Sequence, residues 1–418
     1  MYGNEQKMVS AYVQMRKIGK HFYGRCPFCQ APEGLFLSDG EGRWGCVSCG
    51  EHGDAADLIS KIRKIPKTEA EDIIRQNAGL PPKGKEPGND SERNAVFEAN
   101  RLAEDYFEKK LWSEEGKPGL DYFKDRQLSD LTLKTLHLGY SGKFGNSLYS
   151  YLKGQGVPED VIFSAGLAKK DAEKGRIYDA FWNRVMYPIH DAAGRTAAFG
   201  GRVLDDSKPK YINSPESAVF MKRSMLYGLY EPGAYNSRVP FVLCEGYMDV
   251  ISMYQAGVKN AVATLGTALT EDHAKLIAKY SKNIILCYDS DDPGITAARR
   301  AIPILKKEGV SAGIVSFNPC KDPDEFVKKF GVSELYKRFS AREDGFLFAA
   351  RQKAREYDLQ DAKQRASCIR ELGQMIYEED RQKRGHYIRV LSDQFRLPQK
   401  ALWAVIDILS SEEERGNP

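Results

Sequence analysis

"FVLCEGYMDV", Phe241–Val250, places an acid directly after four apolar residues and a second acid four positions later. "IILCYDSDD", Ile284–Asp292, repeats the arrangement, with Ile284 to Cys287 apolar and then Asp289, Asp291 and Asp292. Around these stretches the chain alternates regularly: strand "FVLC", helix "VISMYQAG", strand "NAVATLG", helix "TEDHAKLIAKY", strand "NIILCYD", helix "GITAARRAIPILKKEG", strand "SAGIVSF". Such alternation predicts a parallel α/β unit. An acid after one strand is explained by the preference of carboxylates for helix N-termini, and Asp249 alone would need nothing more. Two cases in one short unit ask for another cause.

Outward from this unit, 418 residues suggest several domains, each able to bury a core. With 42% hydrophobic and 29% charged residues the composition is that of a globular protein. No apolar run reaches the length of about 18 that spans a bilayer, and no signal-peptide pattern follows Met1, so a cytoplasmic protein without a membrane partner is expected. A net charge of only +4 means that any nucleic acid must be held by a local basic surface. The organisation read from composition and periodicity is α/β multidomain. It comprises a cysteine-bearing unit at 1–80, a Pro-, Gly- and charge-rich linker at 81–93, a mixed α+β subdomain at 94–238, the parallel-sheet α/β subdomain at 239–325, and a helical subdomain and tail at 326–418.

"CPFCQAPEGLFLSDGEGRWGCVSC", Cys26–Cys49, is Cys-x2-Cys, a spacer, Cys-x2-Cys, the spacing of a four-thiolate zinc site. The intervening residues have strand–turn–strand character, which predicts a zinc ribbon. Ligands Cys26, Cys29, Cys46 and Cys49 leave no open coordination position, so the expected zinc is structural; the alternative is reduced, unmetallated thiols. Arg25, Phe28, Arg43 and Trp44 mix charge with aromatic faces as single-strand binders do, although Trp44 suits a core equally well. Cys244, Cys287, Cys320 and Cys368 sit mostly in apolar sequence and read as buried hydrophobes.

In an open parallel sheet, ligands bind at the carboxyl ends of the strands, where Glu245 and Asp289 fall. Asp249, Asp291 and, after "SAGIVSF", Asp322 and Asp324 join them on one rim. Two like charges about 4 Å apart repel by roughly 1 kcal/mol in water and roughly 4 kcal/mol at an effective dielectric of 20, so such clustering calls for a cation. All-oxygen ligands select Mg²⁺ or Mn²⁺, which suits phosphoryl chemistry.

"EGYMD" and "YDSDDPG" after apolar strands resemble the Glu and Asp-x-Asp signatures of the Toprim fold. "RVMYPIHDAAGRTAAFGGRVL", "PKYINSPES", "KRSMLYGLYEP" and "CPFC…CVSCGEHGDAADLI" are similar to the DnaG-type bacterial primases, over nearly the whole chain. The resemblance implies a zinc ribbon, an RNA-polymerase core with a Toprim centre, and a helical end. It departs from the family at Cys29, where histidine is usual, and at Asp292-Pro293-Gly294, which adds a negative charge. The chain also stops soon after the core, leaving no room for the family's helicase-docking domain, whose absence is therefore expected.

From Arg184 to Arg223 seven basic residues (Arg184, Arg195, Arg202, Lys208, Lys210, Lys222, Arg223) face four acidic ones, with Tyr211 and Phe220 interleaved, which suits a groove for phosphates and stacked bases. The resemblance ties Arg126, Arg202, Lys210, Tyr211, Asn213 and Lys222 to template and nucleotide binding. It implies a DNA primase that makes short RNA primers on single-stranded DNA from NTPs. Metal would be held by Glu245, Asp289 and Asp291, with Asp249, Asp322 and Asp324 in support. The rivals are a Toprim nuclease or topoisomerase and a non-catalytic DNA-binding mediator. The topoisomerase needs a tyrosine on a separate domain, for which no region here is spare, and the full acidic set weighs against the mediator.

Overall fold

The computed structural model describes residues 13, 15–18, 21–38, 43–63, 70, 90–143, 145–171, 175–229 and 239–416. Most of the expected linker, 81–89, lies outside them. The chain divides into two units, Met1–Ala95 and Val96–Pro418.

The first unit is an antiparallel meander of β1 (Met15–Ile18), β2 (His21–Gly24), β3 (Leu35–Ser38), β4 (Arg43–Cys46) and β5 (His52–Asp54), followed by helix α1 (Ala55–Arg63). Its small core gathers Val13, Leu35, Leu37, Trp44 and Leu58 with the inner cysteines Cys26 and Cys46. Trp44 is 2% exposed and its indole N–H donates to the Asp54 carbonyl at 2.8 Å, so it is a core residue and offers no face to a nucleic acid.

A long helix, α2 (Asp90–Leu111), leads into the second unit; then come α3 (Lys117–Asp125), α4 (Asp130–Thr135), β6 (Gly139–Tyr140), α5 (Ser147–Gly154), α6 (Glu159–Ser164) and the hairpin of β7 (Ala168–Lys170) and β8 (Ile177–Asp179). Strands β9 (Arg184–His190), β10 (Thr196–Val203) and β11 (Tyr211–Asn213) form with β6 an antiparallel sheet in the order β11-β10-β9-β6.

The predicted α/β unit follows as β12 (Phe241–Cys244), α7 (Tyr247–Gln255), β13 (Ala261–Ala263), α8 (Glu271–Tyr280), β14 (Asn283–Cys287), α9 (Asp292–Lys307), β15 (Ser311–Ile314) and α10 (Pro323–Ser340). The four strands are parallel in the order β13-β12-β14-β15, and a short β16 (Glu343–Asp344) closes the edge antiparallel to β15. Alternation along β12 and β14 sends Val242, Cys244, Ile285 and Cys287 to one core, and Phe241, Leu243, Ile284 and Leu286 to another. Burial on both faces is why these strands read as unbroken apolar runs. The first of those cores also contains Val185, Tyr187, Ile189 and Ala198 of the antiparallel sheet, so one continuous core joins the two sheets.

Helices α11 (Gly345–Ala354), α12 (Ala362–Tyr377), α13 (Arg381–Phe395) and α14 (Gln399–Gly416) complete the described chain around Cys368, Leu372, Ile376, Leu391 and Leu402. The last helix begins after Pro398. It runs on to Gly416, through residues expected to belong to the tail, because Ser410–Arg415 contains neither glycine nor proline to interrupt the backbone hydrogen bonds.

Candidate metal and nucleic-acid centre

In the first unit the four cysteine sulfurs lie within 4.8 Å of one another, with Cys26 Sγ 3.8 Å from Cys49 Sγ and Cys29 Sγ 3.7 Å from Cys46 Sγ. A tetrahedron of thiolates about 2.3 Å from one zinc has edges of roughly 3.8 Å. The donor set therefore fits one zinc. Each Cys-x2-Cys turn is closed by its own backbone, Gln30 N–H donating to Cys26 O at 2.9 Å and Gly50 N–H to Cys46 O at 3.0 Å. Against burial, backbone N–H groups of Cys49 and Ser48 favour the Cys46 thiolate, while burial and the neighbouring sulfurs hold Cys26 and Cys49 up, so without a cation the four sulfurs do not all give up their protons together.

In the second unit, β12 pairs with β13 on one side and β14 on the other, so the chain's direction of winding reverses between β12 and β14. A crevice opens at such a point, at the carboxyl ends of the strands. Register places Cys244 beside Cys287, and the next residues bring Asp289 N–H to Glu245 Oε1 at 2.9 Å. Glu245 and Asp289 are half-buried, and their carboxyls are pushed above the ordinary range: Glu245 by burial and by the charges of Asp289 and Asp291, Asp289 by burial, against the opposing effect of Lys321. Asp291 caps α9, accepting from Gly294 N–H at 3.1 Å, and Asp322 caps α10, accepting from Glu325 N–H at 2.8 Å. At Gly294 a Cβ would stand 2.1 Å from the Asp289 carbonyl oxygen, so the glycine after "DDP" is what lets α9 start against the rim.

Asp249, 9% exposed, accepts from Gly246 N–H at 3.1 Å, and burial, with Asp322 and Asp289 adding like charge, pushes its carboxyl well above the carboxylate range. Asp324 is placed differently from its neighbours. Buried at 6% exposure, it takes the Ser252 hydroxyl on Oδ1, while Oδ2 accepts from Lys328 at 2.7 Å and lies 3.6 Å from Arg126 Nη1. Both its oxygens are committed to protein groups that join α7, α10 and the end of α3. Among the described residues, no trio of carboxylates brings its oxygens as close together as the cysteine sulfurs are. Open spacing of this kind fits a hydrated hard cation bound through a few carboxylates, which keeps waters for phosphates to displace.

Next to the acids, Tyr247 stacks flat on Tyr187 at 4.8 Å between ring centres and lies 6.3 Å from Tyr211. Its hydroxyl donates to Asn213 Oδ1 at 2.6 Å, and Asn213 Nδ2 donates to Leu265 O at 2.8 Å. The Arg202 guanidinium sits 4.5 Å over Tyr122 and 5.9 Å from the ring of Tyr211, with its buried Nε lacking a hydrogen-bond partner. Burial, then the neighbouring Tyr122, pushes the Tyr211 hydroxyl up to about 12, so it stays a donor at neutral pH. Gly200 makes the stack possible, because a Cβ there would meet the Tyr247 ring at 2.4 Å.

The basic stretch divides in space. Lys208 and Lys210 are exposed, Arg195 pairs with Asp191 at 2.7 Å, and Arg223 pairs with Asp272 at 3.5 Å. Arg184 points inward, 7% exposed, donating to the carbonyls of Gly201 (3.2 Å), Pro209 (3.0 Å) and Lys210 (3.1 Å). It positions the loop that displays Lys210. Arg184→Met should therefore lower unfolding stability by about 1–3 kcal/mol, the cost of losing the charged donor shared by these three carbonyls, as a shift of the denaturant midpoint. An unchanged midpoint would return Arg184 to the ligand-facing set. Lys222 lies in a short turn whose carbonyl accepts from His273 Nε2 at 2.8 Å.

Sequence reasoning passed over His273 and Lys321. His273 is fully buried at the start of α8, where its Nδ1 accepts from Thr270 N–H at 3.2 Å; burial lowers its pKa and keeps it the neutral ring this arrangement needs. Only its place three residues after Thr270, the glutamate position of a capping box, hinted at the role. Lys321 reaches Asp289 Oδ2 at 3.1 Å and Asp291 Oδ2 at 3.7 Å. Its signal was a lone cation heading the acidic run "KDPDE".

Family models match three consecutive stretches: a CHC2 zinc finger over 4–86, the N-terminal domain of the DNA primase catalytic core over 106–232, and a Toprim-like domain over 242–327. The chain is 32% identical over 416 residues to the DNA primase of Clostridium acetobutylicum, covering 98% of this chain and 69% of that protein. To the DNA primase of Geobacillus stearothermophilus it is 32% identical over 432 residues, covering 98% and 70%. The crystal structure of the zinc-binding and RNA polymerase domains of the Aquifex aeolicus primase superposes with a TM-score of 0.62 at 28% identity, covering 96% of this chain and 99% of that one. A DnaG primase catalytic domain bound to single-stranded DNA superposes with a TM-score of 0.65 at 29% identity, covering 75% and 99%. Among the described residues no helix is long and apolar enough to cross a membrane.

Proposed function

The chain belongs to the DnaG family of bacterial DNA primases, and on that footing we propose that its primer synthesis runs at the rim where Glu245 and Asp289 meet. It is a DNA-directed RNA polymerase that builds RNA primers on single-stranded DNA from NTPs. The observation that carries the assignment of the site is the hydrogen bond from Asp289 N–H to Glu245 at the switch point of the parallel sheet, with the Tyr247–Tyr211–Arg202 group alongside.

Glu245, Asp289 and Asp291 are the residues to hold Mg²⁺ or Mn²⁺, with Asp249 and Asp322 behind them; bound there, the cation would neutralise the incoming triphosphate and favour attack by the primer 3′-hydroxyl at the α-phosphate. Glu245 keeps Oε1 on the Asp289 amide, leaving Oε2 for the cation or for the proton of that hydroxyl. Asp324 acts through its partners, holding Arg126 against the site. The partly exposed ring of Tyr211, stacked with Tyr247, suits a base of the template, while Arg202, Lys210, Lys222 and Arg126 suit phosphates. Asn213 fixes Tyr247 in that stack. The zinc of the first unit is structural, and its ribbon serves to hold template.

Incubation of the full chain with single-stranded DNA, labelled NTPs and Mg²⁺ or Mn²⁺ should yield short RNA, falling steeply with salt at about 0.7 in the log–log slope per neutralised phosphate. Nicked DNA without RNA would replace this reading with a nuclease, and neither product with a template-binding protein.

A further inference from the structure

We infer that Lys321 is the resident counter-ion of the acidic rim: it competes with a divalent cation for Asp289 and Asp291 and passes to the triphosphate when nucleotide binds. The inference rests on the reading of this rim as the metal-dependent centre. Its starting point is the pair of contacts from one ammonium to both acids of the Asp-x-Asp motif, 3.1 Å to Asp289 and 3.7 Å to Asp291.

The backbone of Lys321 is fixed opposite the middle residue of that motif. Its carbonyl accepts from Ser290 N–H at 3.0 Å, and its own N–H donates to Glu325 Oε2 at 2.9 Å. On the same loop, Phe317 N–H donates to Ser290 Oγ at 3.2 Å. The loop is thus stapled to residue 290 at two points, and Asp322, next along, caps α10. What remains free to move is the side chain, 62% exposed on a flexible four-carbon stem. An ammonium has three donors and no acceptor, so it cannot share a cation's coordination sphere as a ligand. At this distance it can only repel a second positive charge.

Two consequences follow for binding. A divalent cation arriving alone must send the ammonium into water, and its affinity is reduced by that displacement. When the cation arrives with a triphosphate, the displaced ammonium finds an anionic oxygen within reach of the rim, and part of the loss is recovered. Divalent cation and nucleotide therefore help one another, and the coupling is reciprocal. Lys321 is a positioning residue in this scheme, acting on the acids and on the triphosphate without touching the reacting bond.

The test is made on the full chain with two binding measurements that need no turnover. In the first, Mn²⁺ alone is titrated and followed by its electron paramagnetic resonance; in the second, a fluorescent NTP is titrated at saturating Mn²⁺ and followed by anisotropy. Lys321→Met should bind Mn²⁺ alone roughly three- to tenfold more tightly and the NTP roughly three- to tenfold more weakly, with Lys321→Arg close to the parent in both, as expected of one screened charge. Asp289→Asn, run alongside, should weaken Mn²⁺ binding. If it does so while Lys321→Met leaves both affinities unchanged, or weakens Mn²⁺ binding, the counter-ion role is overturned and the metal centre stands. If Asp289→Asn binds Mn²⁺ as the parent does, the metal centre itself falls, and the inference with it.

Discussion

Asp289→Asn should lower primer synthesis by about 10³-fold or more while leaving the melting temperature of the second unit unchanged or raised by about 1–3 °C. A thousandfold corresponds to about 4 kcal/mol of barrier, within what a metal ligand contributes by charge stabilisation. The stability half follows from the sign of the pKa shift. Burial holds the Asp289 carboxyl above its ordinary value, and the like charges of Asp322 and Asp291 act in the same direction. An acid whose folded pKa is raised carries no penalty at a pH below its unfolded pKa and loses stability as pH rises through the folded value. At neutral pH asparagine removes that penalty, and the lost contact with the exposed Lys321 offsets it by only about 0–1 kcal/mol. The small gain should vanish below about pH 4, where the parent is protonated as well. Glu245→Gln should behave alike, its carboxyl being raised by burial and by Asp289. Thermal melts across pH, with primer synthesis measured on the same samples, check both halves. A variant that melts early yet retains activity at low temperature would show that these acids only cap helices.

Cys46→Ser should unfold the first unit and leave the second standing. Structural zinc carries roughly 10–16 kcal/mol of apparent binding energy in small peptides, as much as the whole stability of a domain this size. The small core of the first unit is built around Cys26 and Cys46 themselves, so the metal and the packing are lost together. Fluorescence reports the event cleanly. Of the protein's four tryptophans, Trp44 is 2% exposed, whereas Trp112, Trp182 and Trp403 are 36%, 48% and 41% exposed. Loss of the first unit should therefore appear as a red shift of the one blue component, with metal analysis falling from one zinc to none. The main thermal transition, belonging to the second unit with its own cores, should not move. A Cys46→Ser protein that keeps its zinc and its buried tryptophan would refute the four-thiolate site.

The parallel α/β unit was legible in the chain because strands covered on both faces leave a mark that needs no tertiary information: Phe241–Cys244 and Ile284–Cys287 are apolar at every position. The cysteine site was legible for a similar reason, since the ligand spacing within each turn is a local property. Local, too, was the place of Glu245 and Asp289 at strand ends. Which strands lie side by side is not local. The order β13-β12-β14-β15, which sets Glu245 against the Asp289 amide, is decided by the crossovers and by the two cores they pack. The inward turn of Arg184 could not be read from composition, because a basic residue in a basic stretch looks the same whether it faces solvent or donates to three backbone carbonyls. Asp324 and Asp322 belong to one short acidic run, yet burial beside Ser252, Lys328 and Arg126 commits the first while the second caps α10 at the rim. Lys321 became part of the site only because the loop that carries it is fastened to Ser290, more than thirty positions earlier in the chain. Charge identity is written in the sequence; which partner each charge meets depends on contacts between distant segments, and only the folded chain supplies those.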